Sequence, residues 1–240
     1  MTDSLVIIPT YNEIENIEDI IKAVASLRKE FHILVVDDNS PDGTADKVRS
    51  LQQQYTEQLF LEVRKEKQGL GTAYIHGFKW ALARSYTYIF EMDADFSHTP
   101  SDLLRLYKAG SNGADVVIGS RYKKGVNVVN WPLHRVLLSY GASFYVKIIT
   151  GMPIKDPTAG FVCFHRKVLQ AIDLEKVKFV GYAFQIEMKF RAFINKFRIV
   201  EVPVIFTDRT RGESKLSKGI ISEAVFGVIK MKINSIFKKH

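Results

Sequence analysis

The sequence predicts an α/β fold in which a mostly parallel sheet is flanked by helices. Three observations carry this prediction. Short apolar runs alternate with stretches whose apolar residues recur at helical spacing. The runs are apolar at nearly every position, as expected of strands covered on both faces. Several of them end in carboxylates, at the sheet edge where ligands of such folds bind.

Residues 5–8 form the first strand, and Ile14, Ile17, Ile20, Ile21, Val24 and Leu27 mark the helix that follows. Residues 33–36 form a second strand ending in Asp37-Asp38, and Ser40-Pro41-Asp42 starts a helix to about residue 54. A strand at 59–63 precedes a helix at 73–84. A strand at 88–92 precedes a helix from Pro100-Ser101-Asp102 to about residue 107, and Val116-Val117-Ile118 closes this half. The second half is less regular. It contains a long amphipathic helix at 131–149, a short strand at 161–164, a helix at 184–193 and a strand at 199–206. Pro203 assigns that last strand to an edge or a bulge. The expected organisation is one catalytic domain over 1–216 and a basic amphipathic C-terminal helix over 217–240.

A chain of 240 residues, 46% hydrophobic, is large enough for one full core. Its single cysteine, Cys163, excludes an intrachain disulfide, and its apolar run reads as core filling rather than nucleophilic chemistry. No signal peptide and no run of about 18 uncharged apolar residues is visible, so no bilayer-spanning helix is expected. The net charge of +8 points to an anionic partner. The aromatics are not interleaved with basic residues, which argues against a nucleic-acid stacking platform.

The chemistry centres on Asp93-Ala94-Asp95. Alternate residues of a strand end share a face, so both acids point to one region beyond the sheet. Neighbouring carboxylates repel unless a cation lies between them, and hard oxygen ligands favour Mg²⁺ or Mn²⁺. Gly69-Leu70-Gly71 is not a dinucleotide fingerprint, because Tyr74 occupies the next glycine position.

Further motifs stand in a fixed order. Pro9-Thr10-Tyr11-Asn12-Glu13 follows the first strand, Val36-Asp37-Asp38-Asn39-Ser40-Pro41-Asp42-Gly43-Thr44 the second, and Asp93-Ala94-Asp95-Phe96-Ser97-His98 the fourth. With Gly119-Ser120-Arg121-Tyr122, Asp156-Pro157-Thr158-Ala159-Gly160-Phe161, Phe184-Gln185-Ile186-Glu187 and the segment from Asp208-Arg209 to Lys215, this set resembles the GT-A glycosyltransferases of family 2. Within them it is similar to the dolichol/polyprenol-phosphate mannose synthases. The resemblance covers about residues 4–216.

The resemblance implies a GT-A fold, a GDP-mannose donor, a divalent metal (Mg or Mn) and a polyprenyl phosphate acceptor at a membrane surface. A related donor such as UDP-glucose is the alternative within the class, and a non-catalytic lipid- or nucleic-acid-binding protein is the alternative outside it. By the resemblance, Pro9, Tyr11, Glu13, Val36 and Asp38 form the nucleotide pocket, with Asp37 capping a turn instead. Asp95 binds the metal, and Asp93 with Ala94 meets the ribose, the sugar or the metal. Ser97 stands where relatives can carry a metal-reaching Gln, and its shorter side chain suits a bridging water. Arg121, Arg135, Arg209 and Lys215 surround the phosphates, with Arg135 and Ser139 at the lipid phosphate. Asp156, Gln185 and Glu187 lie on the acceptor side, orienting the sugar or loops. A phosphate acceptor is largely dianionic at neutral pH and needs no general base. His98 and His134 line the site or the surface.

The C-terminal stripe of Ile220, Ile221, Ala224, Val225, Val228, Ile229, Ile233, Ile236 and Phe237, with its lysines, fits either a membrane interface or packing on the domain. The expected location is the cytoplasmic face of a membrane, reached peripherally or through a membrane-anchoring partner protein.

Overall fold

A computed structural model describes residues 2–208 and 218–237. The first half alternates strand and helix: β1 (Ser4–Thr10), α1 (Ile17–Ala25), β2 (His32–Asp37), α2 (Thr44–Gln52), β3 (Leu59–Val63), α3 (Leu70–Leu82), β4 (Tyr88–Glu91), α4 (Asp102–Ser111) and β5 (Val116–Ser120). The second half holds β6 (Val128–Val129), α5 (Leu133–Thr150), β7 (Val162–His165), α6 (Arg166–Ala171), α7 (Tyr182–Ile194), β8 (Ile199–Pro203), β9 (Phe206–Thr207) and α8 (Lys218–Phe237).

Seven strands form the main sheet in the order β3-β2-β1-β4-β7-β5-β8. Neighbouring strands are parallel except at β7, which runs antiparallel between β4 and β5. The expected parallel sheet therefore carries one reversed strand. β8 is an edge strand that ends at Pro203, as the proline requires, and the run expected to continue to residue 206 breaks into β8 and β9. β6 and β9 pair as a separate two-stranded ribbon.

Side-chain alternation divides the core in two. Val6, Ile8, Ile33, Val35, Phe90 and Cys163 pack with α1, α2 and α4 on one face. Leu5, Ile7, Leu34, Val36, Ile89 and Phe164 pack with α3, α6 and α7 on the other. Cys163 is buried, and burial raises its thiol pKa, which suits the core-filling assignment. α3 begins at Leu70, earlier than the expected residue 73, because Gly69 takes a positive φ of 98° and Gly71 packs against the 179–184 segment. The Gly71 amide donates to the Val180 carbonyl at 2.8 Å, so it does not serve as a phosphate donor.

α8 packs on α5 and α7. Val228 is 1% exposed within the core, whereas Phe226 is 74% exposed. Among the described residues, no helix is long and apolar enough to cross a membrane.

Candidate active site

The motif loops meet at the carboxyl ends of β1, β2 and β4. The first two are tied together by three successive backbone amides. Asn12 N–H donates to Ser40 Oγ, Glu13 N–H to Thr44 Oγ1 and Ile14 N–H to Asp42 Oδ2, each at 3.0 Å. Burial raises the Asp42 pKa, but hydrogen bonds from Thr44 and Ile14 outweigh it and hold the carboxyl below its ordinary range.

Asp37 is fully buried and accepts from Thr10 Oγ1 (2.8 Å), Ser40 N (2.9 Å) and Ser40 Oγ (2.6 Å). It caps the turn, as its motif position suggests. Val36 pairs with Pro9 across the sheet, which places both beside Tyr11 and Asp38. The Tyr11 ring lies under Lys67 Nζ, 4.2 Å from its centroid. Glu13 accepts from Asn16 Nδ2 at 3.1 Å.

Asp38 is buried and forms an ion pair with Arg64, whose Nε lies 2.5 Å from Oδ1. Arg64 also donates to Thr72 Oγ1 at 2.7 Å. Motif reading missed this arginine. Its sequence signal is its place as the first residue after β3, at the same sheet edge as the other motifs.

Asp93 and Asp95 follow β4. Asp93 Oδ1 accepts from the Tyr74 hydroxyl at 3.4 Å, and Asp95 Oδ1 accepts from the Ser97 amide at 3.0 Å. Ala94 is buried between them. The turn passes through Phe96 at a φ of 57°. Such a conformation costs a bulky L-residue about 1–2 kcal/mol, and Asn12 and Asn39 adopt it in the other two motif turns. The Ser97 hydroxyl lies 3.5 Å from His98 Nδ1. Burial pushes the His98 imidazole down to about 4 although Asp95 pulls it upward, and its ring stacks on Phe161 at 4.8 Å. His98 thus lines the site as a neutral ring, and His134 is exposed at the start of α5.

The donor set at β4 consists of carboxylate oxygens, which suits Mg²⁺ or Mn²⁺. Among the described residues no group of three or more His, Cys, Asp or Glu side chains gathers around one point. A divalent cation here would draw further oxygens from substrate phosphates and water, as Mg²⁺ commonly does.

Beyond β5, Arg121 is mostly buried and engages Asp156 through its backbone N (2.8 Å), Nε (2.8 Å) and Nη2 (2.6 Å). Nη2 also donates to Thr158 Oγ1 at 2.7 Å. Burial raises the Asp156 pKa, yet the Arg121 charge overcomes it and holds the carboxyl below its ordinary value. The guanidinium expected at the phosphates is therefore also the clamp of the 156–160 loop. Tyr122, Trp131 and Phe206 surround it with ring centroids 5.2–5.8 Å away.

Arg135 lies on α5, over the Trp131 ring at 4.2 Å, and pairs with Asp208 at 2.7 Å. Ser139, one turn on, accepts from the Tyr122 hydroxyl at 2.8 Å. Gln185 is buried on α7 beside the 156–160 loop. Glu187 follows two residues later on α7. Its carboxylate accepts from Arg191 (2.7 Å) and from the amides of Lys178 and Phe179 (3.0 and 3.2 Å). It also lines an open groove of about 1530 Å³ between α7, β8 and α8. Arg209 and Lys215 lie outside the described residues.

The family model described as Glycosyl transferase family 2 matches residues 5–173. The chain is 48% identical over 225 residues to the polyprenol monophosphomannose synthase of Mycolicibacterium smegmatis, covering 94% of this chain and 85% of that protein. It is 46% identical over 226 residues to the undecaprenyl-phosphate mannosyltransferase of Micrococcus luteus, covering 93% and 91%. The dolichol-phosphate mannosyltransferase of Pyrococcus furiosus is 38% identical over 224 residues, covering 91% of this chain and 60% of that protein. Among solved structures, the glucosyl-3-phosphoglycerate synthase of Mycobacterium tuberculosis in complex with Mn²⁺, UDP-glucose and phosphoglyceric acid has a TM-score of 0.69 at 17% identity. That match covers 97% of this chain and 80% of the other, and it establishes the shared fold.

Proposed function

The chain belongs to glycosyl transferase family 2, and from that premise we propose that it transfers mannose from GDP-mannose to a polyprenyl phosphate with inversion at the anomeric carbon. The observation that carries this reading is the convergence of the Tyr11, Asp38 and Asp93–Asp95 motifs at adjacent strand ends, in a chain 46–48% identical to two polyprenyl-phosphate mannose transferases.

In this reading Pro9, Tyr11, Glu13, Val36 and Asp38 hold the nucleoside. Arg64 neutralises one side of Asp38 and fixes its carboxylate. Asp93 and Asp95 would hold a divalent cation, and Ser97 orders Asp95 through its amide. The cation, when bound, neutralises charge that builds on the diphosphate as the sugar leaves. An oxygen of the acceptor phosphate dianion attacks the mannose anomeric carbon, and the bond from that carbon to the diphosphate oxygen breaks. GDP takes the electron pair, and no proton moves. Arg135 and Ser139 receive the acceptor phosphate, while Arg209 and Lys215 meet the diphosphate. Arg121 and Asp156 hold the loop between these two ends.

The acceptor is a lipid, and α5 carries a matching surface. Leu133, Leu137, Leu138, Phe144 and Ile148 are all exposed there, and Phe226, Ile229 and Ile233 are exposed on α8 beside it. An apolar face of this extent flanked by lysines fits a membrane interface, reached directly or with an anchoring partner. α8 then serves both expected purposes, packing through Val228 and facing lipid through Phe226.

Thermal stabilisation by nucleotides tests the donor. GDP with Mn²⁺ should raise the melting temperature more than UDP with Mn²⁺. A larger effect of UDP would replace GDP-mannose with a uridine donor, and no effect of either would remove the transferase reading.

A further inference from the structure

One charged side chain near this site has been given no part in it. Lys189, on α7, is fully buried. Its ammonium donates to three oxygens: Ala159 O at 2.7 Å, Gln185 O at 3.1 Å and Gln185 Oε1 at 3.0 Å. All three N–H groups are thereby used. Glu91, the last residue of β4 and also fully buried, lies within Coulombic range of this ammonium and beside the Gln185 amide. Burial disfavours the charged form of both groups, and each partly restores the other. A lysine buried this deeply is retained at a cost, so what it holds matters.

It holds two things. The first is the Ala159 carbonyl, within the loop that Arg121 and Asp156 clamp from the other side. The second is the orientation of the Gln185 amide. An ammonium only donates, so the amide atom facing it must be oxygen, and the amide nitrogen is turned the other way. That nitrogen is buried and faces the Glu91 carboxyl, whose charged form it favours. It lies near Gly160, where a methyl group in place of the glycine hydrogen would be 4.0 Å from both Gln185 Nε2 and Asp93 Oδ2. The amide is thus held between Lys189 and Glu91, beside the loop that borders Asp93.

We propose that Lys189 is a positioning residue of the transfer reaction, locking the 156–160 loop beside Asp93 and fixing the Gln185 amide between itself and Glu91. It acts through Gln185 and Ala159 and touches neither substrate. This inference rests on the mannosyl-transfer reading for its substrate, but not for its geometry.

The test uses the full chain and four variants: Lys189→Met, Gln185→Leu, the two together, and Glu91→Leu with Lys189→Met. Lys189→Met should lower kcat about 10- to 100-fold, the scale of a misplaced catalytic geometry. GDP binding with Mn²⁺ should stay within about twofold, because the nucleotide loops are fixed by other hydrogen bonds. Adding Gln185→Leu to Lys189→Met should lower kcat little further, because the two act as one unit. Glu91→Leu with Lys189→Met removes both buried titratable groups and should recover thermal stability while kcat stays low. Recovery of kcat along with stability would overturn the proposal, as would multiplicative losses in the Gln185→Leu pair. Hydrogen exchange at residues 158–161 gives an arm independent of turnover. It should quicken in the Glu91→Leu/Lys189→Met variant, and unchanged protection would sink the positioning role whichever sugar the enzyme uses. A wild-type enzyme inactive with GDP-mannose would instead sink the mannosyl reading alone.

Discussion

Replacing Asp156 with Asn tests the clamp that joins the two halves of the site. The change keeps the side chain's shape but removes the charge that three groups of Arg121 address at 2.6–2.8 Å. Asp156 is 0% exposed, so solvent does not replace the lost interaction. Leaving a buried guanidinium without its counter-charge costs about 3–5 kcal/mol. For a chain of this size about 1 kcal/mol moves Tm by roughly 2–4 °C, so Tm should fall by about 6–20 °C. The pH dependence adds a second signature. The folded-state pKa of Asp156 is depressed, because the Arg121 charge outweighs burial. Its stabilisation is therefore present above the unfolded carboxyl pKa of about 3.9 and is lost as pH falls through the lower folded value. Chemical denaturation at several pH values between about 3 and 7 should show the variant losing less stability on acidification than the wild type. A variant within about 1 kcal/mol of wild type, with the same acid slope, would refute the clamp.

Asp95→Asn should reduce transfer by about 100-fold or more, with a Tm change smaller than that of Asp156→Asn, and EDTA should have a comparable effect on the wild type. Arg64→Met should weaken GDP binding and lower stability by about 3 kcal/mol, measured by titration and urea unfolding, because it strands the buried Asp38 carboxylate. Changing Leu137, Leu138 and Phe144 together to Ser should cut flotation with anionic liposomes while leaving stability within about 1 kcal/mol, since all three side chains are exposed.

The strands that carry the motifs were legible because burial on both faces demands continuous apolar runs, as at Leu5-Val6-Ile7-Ile8 and Ile33-Leu34-Val35-Val36. The same property hid the direction of β7. Its apolar residues signal burial, but antiparallel insertion between β4 and β5 follows from the long connection through α5. β6 and β9, at two residues each, are too short for any periodicity. Asp37 could be assigned to turn chemistry because Ser40, one of its partners, is local. The partners of Arg121 and Asp38 could not be foreseen. Arg121 and Asp156 are 35 positions apart, and Asp38 and Arg64 are 26 apart. Lys189 was hidden differently. It lies four residues after Gln185, on a buried helix face where a lysine is unexpected. The apolar pattern of α5 was visible, but packing rather than pattern left that face exposed.

The most direct measurement of the central claim is radiolabel transfer from GDP-mannose to a polyprenyl phosphate in detergent or liposomes, with Mn²⁺ or Mg²⁺. The account predicts a lipid-extractable, β-linked polyprenyl phosphate mannose, formed with one GDP released per mannose transferred and lost in Asp95→Asn. Label that stays with the nucleotide while UDP-glucose labels the same lipid would contradict it.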